Sequence, residues 1–357
     1  MICIFSSCLD QSTTDVLRWL HHLGVRDVIR VNYNEPGEGA PYPIDLSEGS
    51  FSFLYDGRRI HLHQLEAVWY RKGMNWLCDS FYPVTVPHFS KFTAYLHHKL
   101  QAEEAKLAEY LHFVIEQSVP ALGSAAKCDL NKLLVLAAAR EAGLLVPAFY
   151  VTNHKEGISQ LLAQSPALIT KALSDGLYLF DAAESARGFF SYTEKVEPHL
   201  LEQLPDRLSP SLLQQQVPKK YEVRVFFLED RCYAMAILSQ GDEQTKTDYR
   251  KYNEKRPNRF VPYRLPDSVE QKLRRLFRSL GLNTGSADLI VDPDDRYYFL
   301  EINPVGQFGM VSAPCNYFLE KKVAQKLMLY AQHSRTNAIA PDYRHEAAPG
   351  VPHDSPR

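Results

Sequence analysis

The stretch from Gly285 to Pro304 limits what this chain can be more than any other. Two β-rich runs flank Asp292-Pro293-Asp294-Asp295, a turn sequence, so the segment predicts an antiparallel hairpin. Alternation along the second strand would put Phe299, Glu301 and Asn303 on one face, and folding about the turn would lay Asp288 opposite Glu301. Facing carboxylates on an arbitrary hairpin are most often the solvated side of an edge sheet. Here they sit among Ala, Leu, Ile, Val and Phe, and a buried like-charge pair needs a cation between its members. Two carboxylates and an amide oxygen, with no His or Cys beside them, suit Mg²⁺, which takes few protein carboxylates and completes its shell with nucleotide phosphate. A nucleotide site is the expectation.

The rest of the chain sets the bounds of the enzyme that could carry such a site. At 357 residues and 45% hydrophobic composition it has core enough for two or three lobes. A net charge of −2 gives no general attraction to nucleic acid or to a membrane surface. Six scattered cysteines without a Cys-x-x-Cys pair argue for reduced thiols and against structural zinc. The apolar start, Met1 to Phe5, is too short for a signal segment, no run approaches membrane-spanning length, and the expected compartment is the cytosol.

Periodicity predicts an α/β opening: a strand over Met1 to Phe5, a helix over Ser12 to Leu23, a strand over Val25 to Val31. A further strand, Ala67 to Lys72, ends in two cations that are either surface dressing or a wall facing an anionic substrate. A charged helix follows over Ser90 to Gln117. A second lobe would begin near Val119, with a helix over Leu133 to Ala142 and strands over Pro147 to Thr152 and Pro166 to Ala172, the last closed by Lys171. Glu222 and Arg224 alternate with Val223 and Val225, which places both polar groups on one strand face. Cys232 to Ser239 would be the partner strand, 240 to 260 an exposed basic loop, and Asp267 to Leu280 a helix leading into the hairpin. The final helix is expected over Asn316 to about Ala331, before a Pro- and Ala-rich tail expected to be disordered. No phosphate-loop or dinucleotide fingerprint is present, and no Ser-His or Cys-His constellation stands out.

Asp288, followed by Glu301-Ile302-Asn303-Pro304, resembles the metal-binding signature of the ATP-grasp superfamily. The longer run from Tyr298 through Val305-Gly306-Gln307-Phe308-Gly309 to Lys322 resembles, more narrowly, the grasp-with-spasm maturases that build graspetides, ribosomal peptides cross-linked by side-chain esters or amides. The likeness runs from Met1 to about Tyr330. It implies an α/β ATP-grasp fold of three lobes with nucleotide between the last two: an N-terminal α/β lobe over 1–118, a central lobe over 119–213, and a C-terminal lobe with the metal site over 214–333, leaving 334–357 as tail. It implies ATP and Mg²⁺ as cofactors, the ion on Asp288, Glu301 and Asn303.

The same resemblance nominates Lys171 and Lys132 for the phosphates, and Gln214, Gln215, Gln216 and Val217 as the hinge whose backbone meets the adenine edge. It assigns Glu222 to the ribose hydroxyls, Arg224 to the phosphates or the activated carboxylate, and Arg250 to the transferring phosphate, with Arg256 and Arg259 as candidates for holding an acidic peptide. Two departures are visible: no dense glycine-rich flap lies between Lys171 and Thr193, and Pro218 removes a backbone donor beyond the hinge. The implied partner is a precursor peptide with a leader and a core rich in Thr/Ser and Asp/Glu, and a second copy of the chain, as a homodimer, is a further candidate. Two other functions stay open at this point: an ATP-grasp ligase acting on free amino acids or a protein tail, and a nucleotide-binding protein without catalysis.

Overall fold

The computed structural model describes residues 1–33, 44–47, 50–72, 90–165, 167–174, 176, 178–181, 187–241 and 257–339. The chain opens with a parallel sheet ordered Val28–Tyr33, Ile2–Ser7, Ala67–Tyr70, Ala121–Leu122. Period-two alternation explains why a sheet this apolar is stable, because each face finds its own core. Ile2, Ile4, Ala67 and Trp69 pack under helices Gln11–His22 and Leu319–Ile339, whereas Cys3, Phe5, Val68 and Tyr70 pack against helix Ser90–Ser118 and a small antiparallel sheet. That small sheet, Ile44–Ser47, Ser50–Tyr55 and Arg58–His61, has no counterpart in the sequence reading. Asp10 starts the first helix by accepting the Thr13 amide at 2.9 Å.

The central lobe is an antiparallel sheet ordered Glu194–Lys195, Leu168–Lys171, Arg207–Gln215, Phe149–His154. The C-terminal lobe is a five-stranded antiparallel sheet ordered Arg259–Tyr263, Arg231–Leu238, Tyr221–Leu228, Thr284–Val291, Tyr297–Asn303. Helix Asp267–Ser279 covers one side of it through Val269, Leu273, Leu276 and Phe277, spaced i, i+4, i+7, i+8. Helix Lys132–Glu141 buries Val135, Leu136 and Ala139 in that same core. Just beyond it, Leu145 bridges Tyr298 and its carbonyl accepts the Phe299 amide at 2.8 Å, so the five-stranded sheet carries this helix. Lobes cut at 213/214 by chain order therefore share one hydrophobic core.

Three expectations need correction. The basic loop 240–260 ends in an edge strand, Arg259–Tyr263, with 242–256 outside the described residues. The final helix, Leu319–Ile339, starts three residues later than expected and runs past Ala331 into the first residues of the segment read as tail, and a separate helix, Gly309–Cys315, precedes it, the two parted where Asn316 and Phe318 take left-handed φ values of 54° and 51°. In the hairpin Asp288 does pair with Glu301, but a bulge falls between Asp288 and Leu289, so that Leu289 opposes Phe299 and Leu300 is the extra residue. Phe299 accordingly lies in the core at 0% exposure, not on the face of Glu301 and Asn303. Among the described residues no helix is long and apolar enough to cross a membrane.

Candidate active site

A cavity of about 700 Å³ lies between the central and C-terminal sheets, and Lys132, Lys171, Gln214, Gln215, Val217, Glu222, Arg224, Asp288, Glu301 and Asn303 are all on its walls. Each reaches it for a local reason. Lys132 is the first residue of a helix whose N-cap, Asn131, accepts the amides of Leu133 and Leu134 at 3.0 and 3.3 Å. Lys171 ends its strand. Their ammonium groups lie 3.6 and 3.8 Å from Glu301 Oε2, approaching from the helix on one side and the central sheet on the other. Lys132 also donates to the Ala172 carbonyl at 2.8 Å.

Arg224 is registered opposite Asp288, and its Nη1 donates to both carboxylate oxygens at 3.1 and 3.0 Å. Its Nη2 donates to the Gln307 carbonyl at 3.4 Å. Asn303 turns the chain by accepting the Val305 amide on Oδ1 at 3.1 Å. Gly306 lets this loop lie on the neighbouring strand, since a Cβ there would sit 2.7 Å from Ser286 Cβ and Oγ. Glu222 is held by Lys219, which sequence reasoning passed over, and accepts from Ser239 Oγ at 3.3 Å.

The far end of the cavity is differently built. Gln214 is 1% exposed, and neither Nε2 nor Oε1 of its carboxamide has a hydrogen-bond partner. The amides of Gln215 and Gln216 are spent on the Ala148 and Ala167 carbonyls, both at 2.8 Å, and Gln216 is not on the cavity wall. Pro218 has no amide to offer. Among the described residues no backbone bond engages the Val217 amide, which leaves it and the Gln214 carboxamide at the wall. Where a glycine-rich flap was missing from the sequence, the chain makes an antiparallel hairpin, Tyr178–Asp181 with Arg187–Phe190, whose flanks Ser174, Gly176 and Ser191 to Thr193 line the cavity. Arg250 and Arg256 lie outside the described residues.

The donor chemistry fits the expected ion and nucleotide. Among the described residues no three His, Cys, Asp or Glu converge as a closed metal cage. Two carboxylates and one amide oxygen instead leave coordination positions for water and phosphate, as Mg²⁺ requires. Unmet polar atoms at the other end are what a planar heterocycle with its own donor and acceptor would satisfy.

No family model matches the chain, and no curated protein matches it in sequence. Solved structures do. The macrocyclase MdnC of Microcystis aeruginosa MRC, solved with its precursor peptide MdnA, is 26% identical, with 92% of this chain and 99% of that one covered at a TM-score of 0.71. The chain has the ATP-grasp fold. A RiPP-associated ATP-grasp ligase of Chryseobacterium gregarium, in complex with ADP and a leader and core peptide, shares its fold at 23% identity, 92% and 96% coverage and a TM-score of 0.72. The ATP-grasp ligase PsnB, complexed with a minimal precursor, Mg and ADP, does so at 21% identity, 92% and 97% coverage and a TM-score of 0.66. In this chain the cavity between the central and C-terminal sheets has the paired Asp288 and Glu301 of the hairpin on its wall.

Proposed function

We propose that the chain is an ATP-dependent peptide ligase that closes macrocycles in a ribosomal precursor peptide, joining Asp or Glu side-chain carboxylates to Thr or Ser hydroxyls or Lys amines. The observation that carries the reading is the convergence on one hairpin of Asp288, Glu301 and Asn303 with Arg224, Lys132 and Lys171, at one end of a cavity whose other end holds unmet polar groups. The likeness over 92% of the chain to a macrocyclase solved with its precursor supports peptide as the substrate.

The reaction is acyl transfer in two stages. A substrate carboxylate oxygen attacks the γ-phosphorus of ATP, the bond to the bridging oxygen breaks, and ADP leaves. The acyl phosphate is then attacked at carbon by the hydroxyl or amine, whose proton is lost as inorganic phosphate departs with the C–O bonding pair. Bound Mg²⁺ would supply charge neutralisation and orientation of the phosphates from Asp288, Glu301 and Asn303. Lys132 and Lys171, already facing that corner, hold the phosphates, and Arg224 offers a forked pair of donors to the group in transfer. Glu222, fixed by Lys219 and Ser239, is placed to accept from ribose hydroxyls, and Arg250 is the further candidate for the transferring phosphate. Because the acyl phosphate is itself the activated species, the two stages call for no enzyme nucleophile. A cytosolic setting, where ATP is plentiful, belongs to the same reading.

The test is to incubate the chain with ATP, Mg²⁺ and a candidate precursor peptide rich in Thr/Ser and Asp/Glu, following mass. Loss of one water per cross-link, with ADP formed only when peptide is present, is the expected result. ADP formation with a free amino acid and no peptide would overturn it in favour of a small-substrate ligase, and nucleotide binding without phosphate release in favour of a non-catalytic role.

A further inference from the structure

The two cations at the end of the strand Ala67–Tyr70 have different fates. Lys72 is on the cavity wall, whereas Arg71 is 2% exposed and reaches across to the loop that follows Asn303. Arg71 Nη1 donates to the Val305 carbonyl, and Nη2 to Gln307 Oε1 at 3.0 Å and to Asp10 Oδ1 at 3.2 Å. Burial alone would raise the Asp10 carboxyl, but Arg71, the Thr13 hydroxyl and amide, and Lys72 hold it below the ordinary range. It is therefore a fixed anion at the head of helix Gln11–His22.

Around this anchor the carboxamide of Gln307 is gripped from three sides. Its Oε1 accepts from Arg71 and, at 3.3 Å, from Ser12 Oγ, while its Nε2 faces Asp10 Oδ1 at 3.4 Å. All three partners belong to the N-terminal lobe. The backbone carbonyl of the same residue faces the other way and accepts Arg224 Nη2 at 3.4 Å. On its other arm, Nη1 donates to both carboxylate oxygens of Asp288. A guanidinium held by one carboxylate can swing about that contact, while a second acceptor on the other arm fixes its plane.

We propose that Gln307 is a positioning residue: the N-terminal lobe clamps its side chain so that its carbonyl sets the plane in which Arg224 meets the terminal phosphate of bound nucleotide. The N-terminal lobe thereby takes part in building the phosphate corner. The inference rests on the nucleotide reading of the cleft given above. Gln307 is itself exposed and follows the strand, so its substitution leaves the apolar core untouched and removes only the polar contacts with Arg71, Ser12 and Asp10.

The experiment is a double-mutant cycle read by calorimetry with Mg²⁺ and AMPPNP on four full-length proteins: the natural chain, Gln307→Met, Arg224→Lys and both together. Gln307→Met should weaken AMPPNP about fivefold, what one net hydrogen bond is worth. In the Arg224→Lys background the same change should have no further effect, because the group it positions is gone. The ligand-free melting midpoint should fall by about 2 °C on Gln307→Met whether or not Arg224 is present, because the bond that buried Arg71 loses does not involve Arg224. Unchanged affinity in Gln307→Met, or losses that multiply in the double variant, would each overturn the positioning role. A natural chain that binds no AMPPNP defeats the nucleotide reading first and the positioning role with it, an outcome visible before any variant is compared.

Discussion

Replacing Gln214 by Met should make the ligand-free protein more stable and its nucleotide complex weaker, two effects of opposite sign from one substitution. The carboxamide is 1% exposed with both polar atoms unpartnered, on the wall of the cavity that the proposed function gives to the heterocycle of ATP. Leaving a buried donor or acceptor unmet costs about 1–3 kcal/mol, so a methionine of similar shape should recover roughly 2 kcal/mol in the free chain. At about 2 °C per kcal/mol for a cooperative unit of this size, the melting midpoint should rise by about 4 °C. In the complex the amide would offer Oε1 to an exocyclic amine and Nε2 to a ring nitrogen, the pairing an amide makes with adenine. Two neutral hydrogen bonds at about 1 kcal/mol each make the loss about 2 kcal/mol, or roughly thirtyfold in affinity. Thermal melts with and without saturating Mg²⁺ and AMPPNP, and calorimetry on both proteins, read the two effects separately. A variant that melts lower than the natural chain while binding nucleotide as tightly would refute the reasoning, because the amide would then be satisfied within the protein.

Asp288→Ala, Glu301→Ala and Asn303→Ala should each reduce Mg²⁺-dependent dehydration of the precursor by about a hundredfold or more, read as water loss by mass spectrometry; full turnover in all three would reject the hairpin as the metal site. Gly306→Ala should push the Asn303 loop off Ser286 and weaken AMPPNP binding, whereas Gly309→Ala, whose nearest neighbour would be 3.9 Å away, should bind as the natural chain does. The forked bond from Arg335 holds the Glu66 carboxyl down to about 2, against an ordinary 4.5. A depressed carboxyl stabilises above its ordinary range and loses that contribution as pH falls, so the midpoint gap between the natural chain and Glu66→Gln should be full at pH 7 and close between about 4.5 and 2. A gap independent of pH would count against it.

What the sequence could show depended on how far apart the cooperating residues lie. The pairing of Asp288 with Glu301 was legible because one short turn sets both strands. The face of Phe299 was not, since Tyr297 to Leu300 is apolar without interruption and no polar residue locks the phase of the alternation, which left the bulge at Leu300 invisible. Gln214 carried a faint signal, a polar residue next to Leu212 and Leu213 in a buried strand, though nothing to say that its side chain rather than its backbone would be the unmet group. The Asp10, Arg71 and Gln307 cluster gave none, for its members are separated by 61 and 236 positions and meet only when the lobes pack. Lys219 lay in plain view three residues before Glu222, but its burial depends on the sheet around it.

The charge balance of the corner says how metal and nucleotide must arrive. Asp288 and Glu301 face Arg224, Lys132 and Lys171, two anions against three cations, so the cleft is close to neutral in itself and can exist without ligand. A divalent cation alone would compete with Arg224 for Asp288 and leave three protein cations crowded around it. A polyphosphate alone would draw the lysines from Glu301 and leave both carboxylates facing new negative charge. Together the two additions nearly cancel, and each removes the penalty of the other. On the proposed reading, binding of Mg²⁺ and of nucleotide should therefore be reciprocally coupled, through the five side chains that the hairpin, its neighbouring strand and the two lysines bring together.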